Sequence, residues 1–203
     1  HMIHKYIRCI KGNDDNLKRV LNYLDTEGLK ENTIVVYTAD QGYWLGQHGL
    51  YDKRLILETS IRMPFLIRYP KVIKPGSVNS SLCVNVDLAP SLLQLAGLSA
   101  PKEMQGRSFA GMLTGEQQPR NWRKSSLYSY WSIGPKHYGI RTDRYTYLKI
   151  DDHIELFDRQ QDPNQIKNMA PNPEYKLTLQ ELEQELKKQI KETNFAQKDW
   201  PKI

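Results

Sequence analysis

The densest run of chemically capable side chains is Thr38-Ala39-Asp40-Gln41-Gly42-Tyr43-Trp44-Leu45-Gly46-Gln47-His48-Gly49-Leu50-Tyr51-Asp52-Lys53-Arg54. It directly follows Thr33-Ile34-Val35-Val36-Tyr37-Thr38, a continuous β-branched and aromatic run. Such a run reads as a strand buried on both faces. Asp40 then falls just past the carboxyl end of that strand, the edge at which open α/β sheets bind ligands. A carboxylate followed by an amide oxygen, Asp40-Gln41, suits a hard cation such as Ca²⁺ or Mg²⁺. Gly42 lets the backbone turn sharply beneath it. His48 is a titratable group in the same loop. Lys53 and Arg54 are cations able to hold sulfate or phosphate, and Glu58 can pair with either. Each feature also has a plainer reading as a solvated turn, a hydrogen-bonded histidine or an exposed charge pair.

These residues need a frame. Ile3, Ile7, Ile10, Leu17, Leu21 and Leu24 recur at mostly helical spacing, which predicts a helix over 3–27. Gly12-Asn13 interrupts it, and Gly28 is a natural stop. Helix, turn and buried strand make half of a parallel βαβ arrangement. Phe65 to Tyr69 reads as a second buried strand. Asp87 caps a short helix with Pro90 in its first turn, Leu88, Leu92 and Leu95 inward, and Gly97 at its end. Residues 98–124 are rich in Pro and Gly and suggest a boundary. Beyond them Leu127 to Trp131, Tyr138 to Arg141, Tyr145 to Ile150 and Glu155 to Phe157 predict an antiparallel sheet. Its hairpin turns fall at Thr142-Asp143-Arg144 and Asp151-Asp152-His153. A last helix starts at Asn172-Pro173 and carries the stripe Leu179, Leu182, Leu186 and Ile190.

Composition bounds the function classes. The chain has 203 residues, 39% of them apolar, with 4 Trp, 12 Tyr and 4 Phe, enough to build a core. No apolar run approaches the roughly 18 residues of a membrane span. Cys9 and Cys83 form neither a disulfide framework nor a zinc motif. The net charge of +6 is scattered in pairs among acidic residues, so a solvated surface is expected and no nucleic-acid partner. The opening His1-Met2 reads as the remnant of a cleaved tag, and localisation is not legible there.

Several motifs occur together in one order. They are the strand leading into T-A-D-Q-G, then G-Q-H-G, Y-D-K-R followed by Glu58, and R-M-P-F-L-I-R-Y-P. Downstream come Val86-Asp87-Leu88-Ala89-Pro90 and Met104-Gln105-Gly106-Arg107-Ser108. Last are Gly139-Ile140-Arg141-Thr142, Tyr147-Leu148-Lys149, Glu155-Leu156-Phe157-Asp158 and Asp162-Pro163-Asn164. The ordered set resembles the C-terminal half of the type I, formylglycine-dependent sulfatases of the alkaline phosphatase superfamily. It is most similar to bacterial glycan sulfatases of the N-acetylglucosamine-6-sulfatase and mucin-desulfating types. The resemblance implies an α/β fold: the C-terminal part of an alkaline phosphatase-like α/β/α sandwich over 3–104, then a small α+β subdomain over 105–203 with an antiparallel sheet and a C-terminal helix. It implies that Asp40 and Gln41 ligate Ca²⁺, although the family usually carries Asn or His where Gln41 stands. It implies that Lys53 contacts the sulfate and stabilises the charge that builds on the ester oxygen. His48 matches a site-adjacent position as a possible catalytic residue. Arg54 and His137, with Arg141 near the latter, could line the substrate pocket.

The same resemblance marks what the chain lacks. Family members carry C-x-P-S-R or S-x-P-x-R, whose Cys or Ser becomes formylglycine. Neither Cys9 in R-C-I-K-G nor Cys83 in L-C-V-N fits it. The family's first pair of acidic ligands has no match in Asp14-Asp15 or Asp151-Asp152. The expectation is therefore a C-terminal fragment of a sulfatase that hydrolyses sulfate esters of glycans. Such a fragment is inactive alone, holds no metal tightly, and has the missing N-terminal part as its natural partner. Self-association through exposed core surface is a further expectation, as is a periplasmic or secreted location. The alternatives are a related phosphodiesterase or phosphonate hydrolase, and a non-catalytic polyanion-binding module.

Overall fold

The computed structural model describes residues 2–130, 132, 134 and 136–193. Trp131, expected to end a strand, and residues 194–203 of the expected 105–203 subdomain lie outside them. The chain forms two compact units that are not the consecutive stretches 3–104 and 105–203. One comprises the chain up to Ala39 with Pro64–Pro119, and the other Asp40–Met63 with the chain from Arg120 onward.

In the first unit, helix α1 spans Met2–Thr26 and continues through Gly12. One internal glycine costs about 1 kcal/mol relative to alanine. A 25-residue helix absorbs that, and a Lys11–Asp15 pair bridges the position. At the C-terminus Gly28 adopts φ 67°. Its N–H bonds to Asp25 O at 3.3 Å and the Leu29 N–H to Leu24 O at 2.9 Å, the paired bonds of a Schellman stop. No residue of α1 is buried: Leu17, Leu21 and Leu24 are half-buried, and Ile3, Ile7, Ile10 and Val20 are exposed.

Strand β1 (Val35–Thr38) pairs with β4 (Phe65–Arg68), as neighbouring strands but antiparallel. The two are neighbours, and the expected burial of β1 on both faces is corrected. Within the described residues β1 has one partner, and Tyr37, Phe65 and Leu66 stay exposed. An Asp25–Arg68 ion pair at 2.7 Å links the end of α1 to β4. Helix α3 (Leu88–Leu95) follows a turn in which the fully buried Asp87 accepts the Val84 N–H at 2.9 Å and the Arg107 N–H at 2.8 Å. Asp87 thus ties two backbone segments together and does not cap the N–H groups of α3. Leu92, expected inward, is exposed; the buried positions are Pro90 and Ser91. A four-residue helix, α4 (Ala110–Leu113), follows.

The second unit is built on a meander of β5 (Ser125–Tyr130), β6 (His137–Thr142), β7 (Tyr145–Ile150) and β8 (His153–Asp158). The two-residue period sends alternate side chains to opposite faces. Tyr138, Ile140, Tyr147 and Leu156 pack under Leu182, Leu186 and Ile190 of α5 (Lys176–Glu192). Asn172 accepts the Glu174 N–H in the turn leading into that helix. Leu148 and Phe157 face the other way and pack against Trp44 and Leu57. The sheet is therefore covered on both faces, on one by its own C-terminal helix and on the other by the loop after β1.

Candidate functional site

The loop has little structure of its own. Its ordered parts are two-residue strands β2 (Trp44–Leu45) and β3 (Tyr51–Asp52) and the single turn α2 (Glu58–Ile61). Contacts fix it instead. Asp40 is exposed and Gln41 half-buried, and the Gln41 amide donates to Asp40 Oδ2 at 3.4 Å. Immediately after them the Gly42 N–H donates to Ser60 O at 2.7 Å. A Cβ on Gly42 would sit 1.9 Å from Thr59 O, so the residue is a glycine because backbone passes against backbone. The Trp44 indole N–H donates to Ser60 Oγ, and its ring is almost wholly buried.

The turn between β2 and β3 places His48 at φ 54°, the left-handed region. Its ring lies edge-on to Trp44, centroids 5.0 Å apart, and Nε2 is 2.9 Å from Asn164 O. A carbonyl only accepts, so Nε2 carries the proton and His48 holds the loop through that bond. Arg54 forms an ion pair with Asp52 at 2.8 Å. Lys53, half-buried, has no hydrogen bond or ion pair among the described residues. Of the adjacent cations Lys53 and Arg54, it is thus the one left available for an anion.

Glu58 pairs with neither Lys53 nor Arg54. Arg141 of β6 grips it with Nε on Oε1 at 2.6 Å and Nη2 on Oε2 at 3.3 Å. Arg159 Nη1 lies 3.6 Å from Oε1. Burial would raise the Glu58 pKa, but the hydrogen bond and charge of Arg141, with Arg159 behind it, hold it below the usual carboxylate range. His137, expected at a pocket border, is fully buried in β6 and stacked on Tyr130, centroids 5.2 Å apart. The structure thus gathers Asp40, Gln41, His48, Lys53 and Arg54 in one loop and sets His137 inside the sheet. The residues that hold the loop, Asn164, Gln165, Arg141 and Arg159, lie more than 80 positions downstream. The motifs Gly139-Ile140-Arg141-Thr142 and Asp162-Pro163-Asn164 pointed towards two of them, and nothing in the sequence pointed to Gln165 or Arg159.

The donor set fits a share of a hard-cation site. The Asp40 carboxylate and the Gln41 carbonyl are hard oxygen donors, and no group of three or more His, Cys, Asp or Glu side chains gathers among the described residues.

This architecture is that of the sulfatases. The fold superposes with a TM-score of 0.88 on a protein solved in complex with its substrate, D-glucosamine-2-N,6-O-disulfate; the two are 39% identical, over 93% of this chain and 40% of that one. Residues 46–192 match the family model described as N-sulphoglucosamine sulphohydrolase, C-terminal, and the chain belongs to that family. An N-acetylglucosamine-6-O-sulfatase of Bacteroides thetaiotaomicron is 39% identical over 96% of this chain and 37% of its own length. An ulvan-active sulfatase of Formosa agariphila is 30% identical over 87% of this chain and 41% of its own. The chain therefore spans about two fifths of these relatives. No helix among the described residues is long and apolar enough to cross a membrane.

Proposed function

We propose that this chain supplies the C-terminal part of a periplasmic or secreted sulfuric ester hydrolase acting on sulfated glycans. Asp40 and Gln41 contribute oxygen ligands to a Ca²⁺ site, and Lys53 binds the sulfate. The observation that carries this is the uncommitted Lys53 beside an Arg54 already paired with Asp52 and a Glu58 already held by Arg141, within a chain 39% identical to an N-acetylglucosamine-6-O-sulfatase over nearly its whole length. Ca²⁺ there would polarise the sulfate oxygens as a Lewis acid. Lys53 is a preorganised positive charge facing the ester oxygen, and Arg54, held by Asp52, borders the same anion. His48 serves the site by shaping the loop. The names of the relatives span glucosamine and ulvan sulfates, so the substrate class is a sulfated glycan.

The test is a chimera in which this chain replaces the aligned region of the Bacteroides thetaiotaomicron enzyme. The chain alone should turn over no chromogenic sulfate ester, whereas the chimera should desulfate glucosamine 6-sulfate. Lys53→Met in the chimera should lower kcat by about 100-fold, and Asp40→Ala should raise the Ca²⁺ concentration needed for half-maximal rate. A chimera equally active with both substitutions would overturn the assignment.

The apolar stripe of α1 is read as the face that the nucleophile-bearing portion covers. On its own the chain should therefore self-associate in sedimentation velocity runs as concentration rises. A monomer at every concentration would refute that part of the proposal.

A further inference from the structure

The loop between Trp44 and Glu58 cannot hold a lysine in place by itself. Its β2–β3 ladder has only two residue pairs, Trp44 with Asp52 and Leu45 with Tyr51. Such a ribbon is marginal in water. Its anchors all lie in the second unit. Trp44 and Leu57 enter the apolar cluster with Leu148 and Phe157. His48 donates to Asn164 O. At the far end Glu58 is held twice: its N–H donates to Gln165 Oε1 at 2.7 Å, and its carboxylate takes the Arg141 fork. Gln165 is itself 2% exposed, at φ 56°, with its N–H on Asp162 O at 3.0 Å.

We propose that Glu58 and Arg141 are positioning residues, a charged clasp that fixes the Lys53 loop to the C-terminal sheet so that Lys53 is presented to the sulfate in one place. The proposal rests on the reading of Lys53 as the sulfate contact. Three features carry it. The clasp closes the loop at the end opposite Trp44, with Lys53 between the two anchors. Its side chains are 15% and 18% exposed, so the pair is largely desolvated and removal of one partner strands the other. And two arginines share the one carboxylate, so without Glu58 the cations Arg141 and Arg159 face each other with only the more distant charge of Asp143 to offset them. The penalty then falls on the loop, since the sheet keeps its own ladder and α5.

The experiment is amide hydrogen exchange, resolved by segment, on the full chain. Glu58→Gln should accelerate exchange of residues 44–57 by about 30-fold and leave the central amides of β6 and β7 within about threefold of their original rates. Arg141→Lys keeps the charge but loses the two-pronged grip, and should give an intermediate acceleration of about fivefold. A pair that merely stabilised the unit would accelerate the loop and the sheet together. That uniform outcome, or an unchanged loop, would overturn the clasp, and Arg141→Lys decides the matter if Glu58→Gln does not fold. Failure of the sulfate reading shows elsewhere: a chimera indifferent to Lys53→Met would remove the role of the lysine while leaving the exchange pattern intact.

Discussion

Gly42→Ala is expected to free the loop that begins at Asp40 while the sheet beneath it persists. A Cβ 1.9 Å from Thr59 O has only backbone to push against, so either the 40–42 turn or the 59–60 segment must move. Either movement breaks the bond from the Gly42 N–H to Ser60 O and disturbs the indole bond from Trp44 to the same serine. Overpacking of this severity costs about 3 kcal/mol. Thermal unfolding of the chain should register that loss, and the indole of Trp44, buried in the parent, should become quenchable by acrylamide. In the chimera, on the proposed reading of Asp40 and Gln41 as Ca²⁺ ligands, the same substitution should raise the Ca²⁺ concentration needed for half-maximal rate, because both sit directly before the displaced residue. An alanine variant with the parent's thermal midpoint and an unquenched tryptophan would contradict the close approach.

Asp158→Asn is expected to destabilise the second unit by about 3 kcal/mol, or about 8 °C in thermal midpoint. The carboxylate of Asp158 is 1% exposed. It accepts Arg144 Nε at 3.0 Å, Arg144 Nη2, the Tyr175 hydroxyl at 3.2 Å and the Gln160 N–H at 3.1 Å. It thereby joins the end of β8 to the β6–β7 turn and to the entry of α5. The hydrogen bond from Arg144 lowers its pKa most. Burial opposes that shift, and the Gln160 N–H adds to it. A depressed folded-state pKa fixes the sign: the contribution is whole above the ordinary aspartate pKa of about 3.9 and drains away as pH falls from there through the folded value. The parent and Asp158→Asn should therefore differ most at neutral pH and converge in acid. A difference that grew below pH 4 would refute the assignment.

What the residues disclosed depends on range. The four strands of the C-terminal sheet and its helix were legible because alternation and a 3.6-residue stripe are local signals, and Asn172-Pro173 marks a helix start. Gly28 was legible for the same reason. The run Ile34 to Tyr37 announced a strand, but an apolar run says nothing of partner direction, so an antiparallel pair with residues 65–68 was not foreseen. The stripe of α1 was legible as a face needing a cover, and with only part of the relatives' length present it stays uncovered, as the expectation of exposed core surface had it. At the candidate site, residue types and order singled out Asp40, Gln41, Lys53 and Arg54, and the structure keeps them in one loop. The engagement of Glu58 by Arg141 lies 83 positions away, where spacing carries no information. His137 read as a pocket residue because burial in a strand depends on neighbours that only the folded sheet supplies.

The excursion of Asp40–Met63 from between two paired strands has a consequence for how such a protein can be divided. The chain passes between its two units three times, at 39/40, 63/64 and 119/120. A single cut at any of these points cannot release either unit by itself. A piece starting at Arg120 would leave Leu148 and Phe157 without Trp44 and Leu57, an open apolar sheet face of the sort that aggregates. Recombination of the C-terminal sheet between relatives must therefore carry two separate stretches of gene. Substitutions in the sheet and in the loop are inherited as one packing problem, although they lie a hundred codons apart.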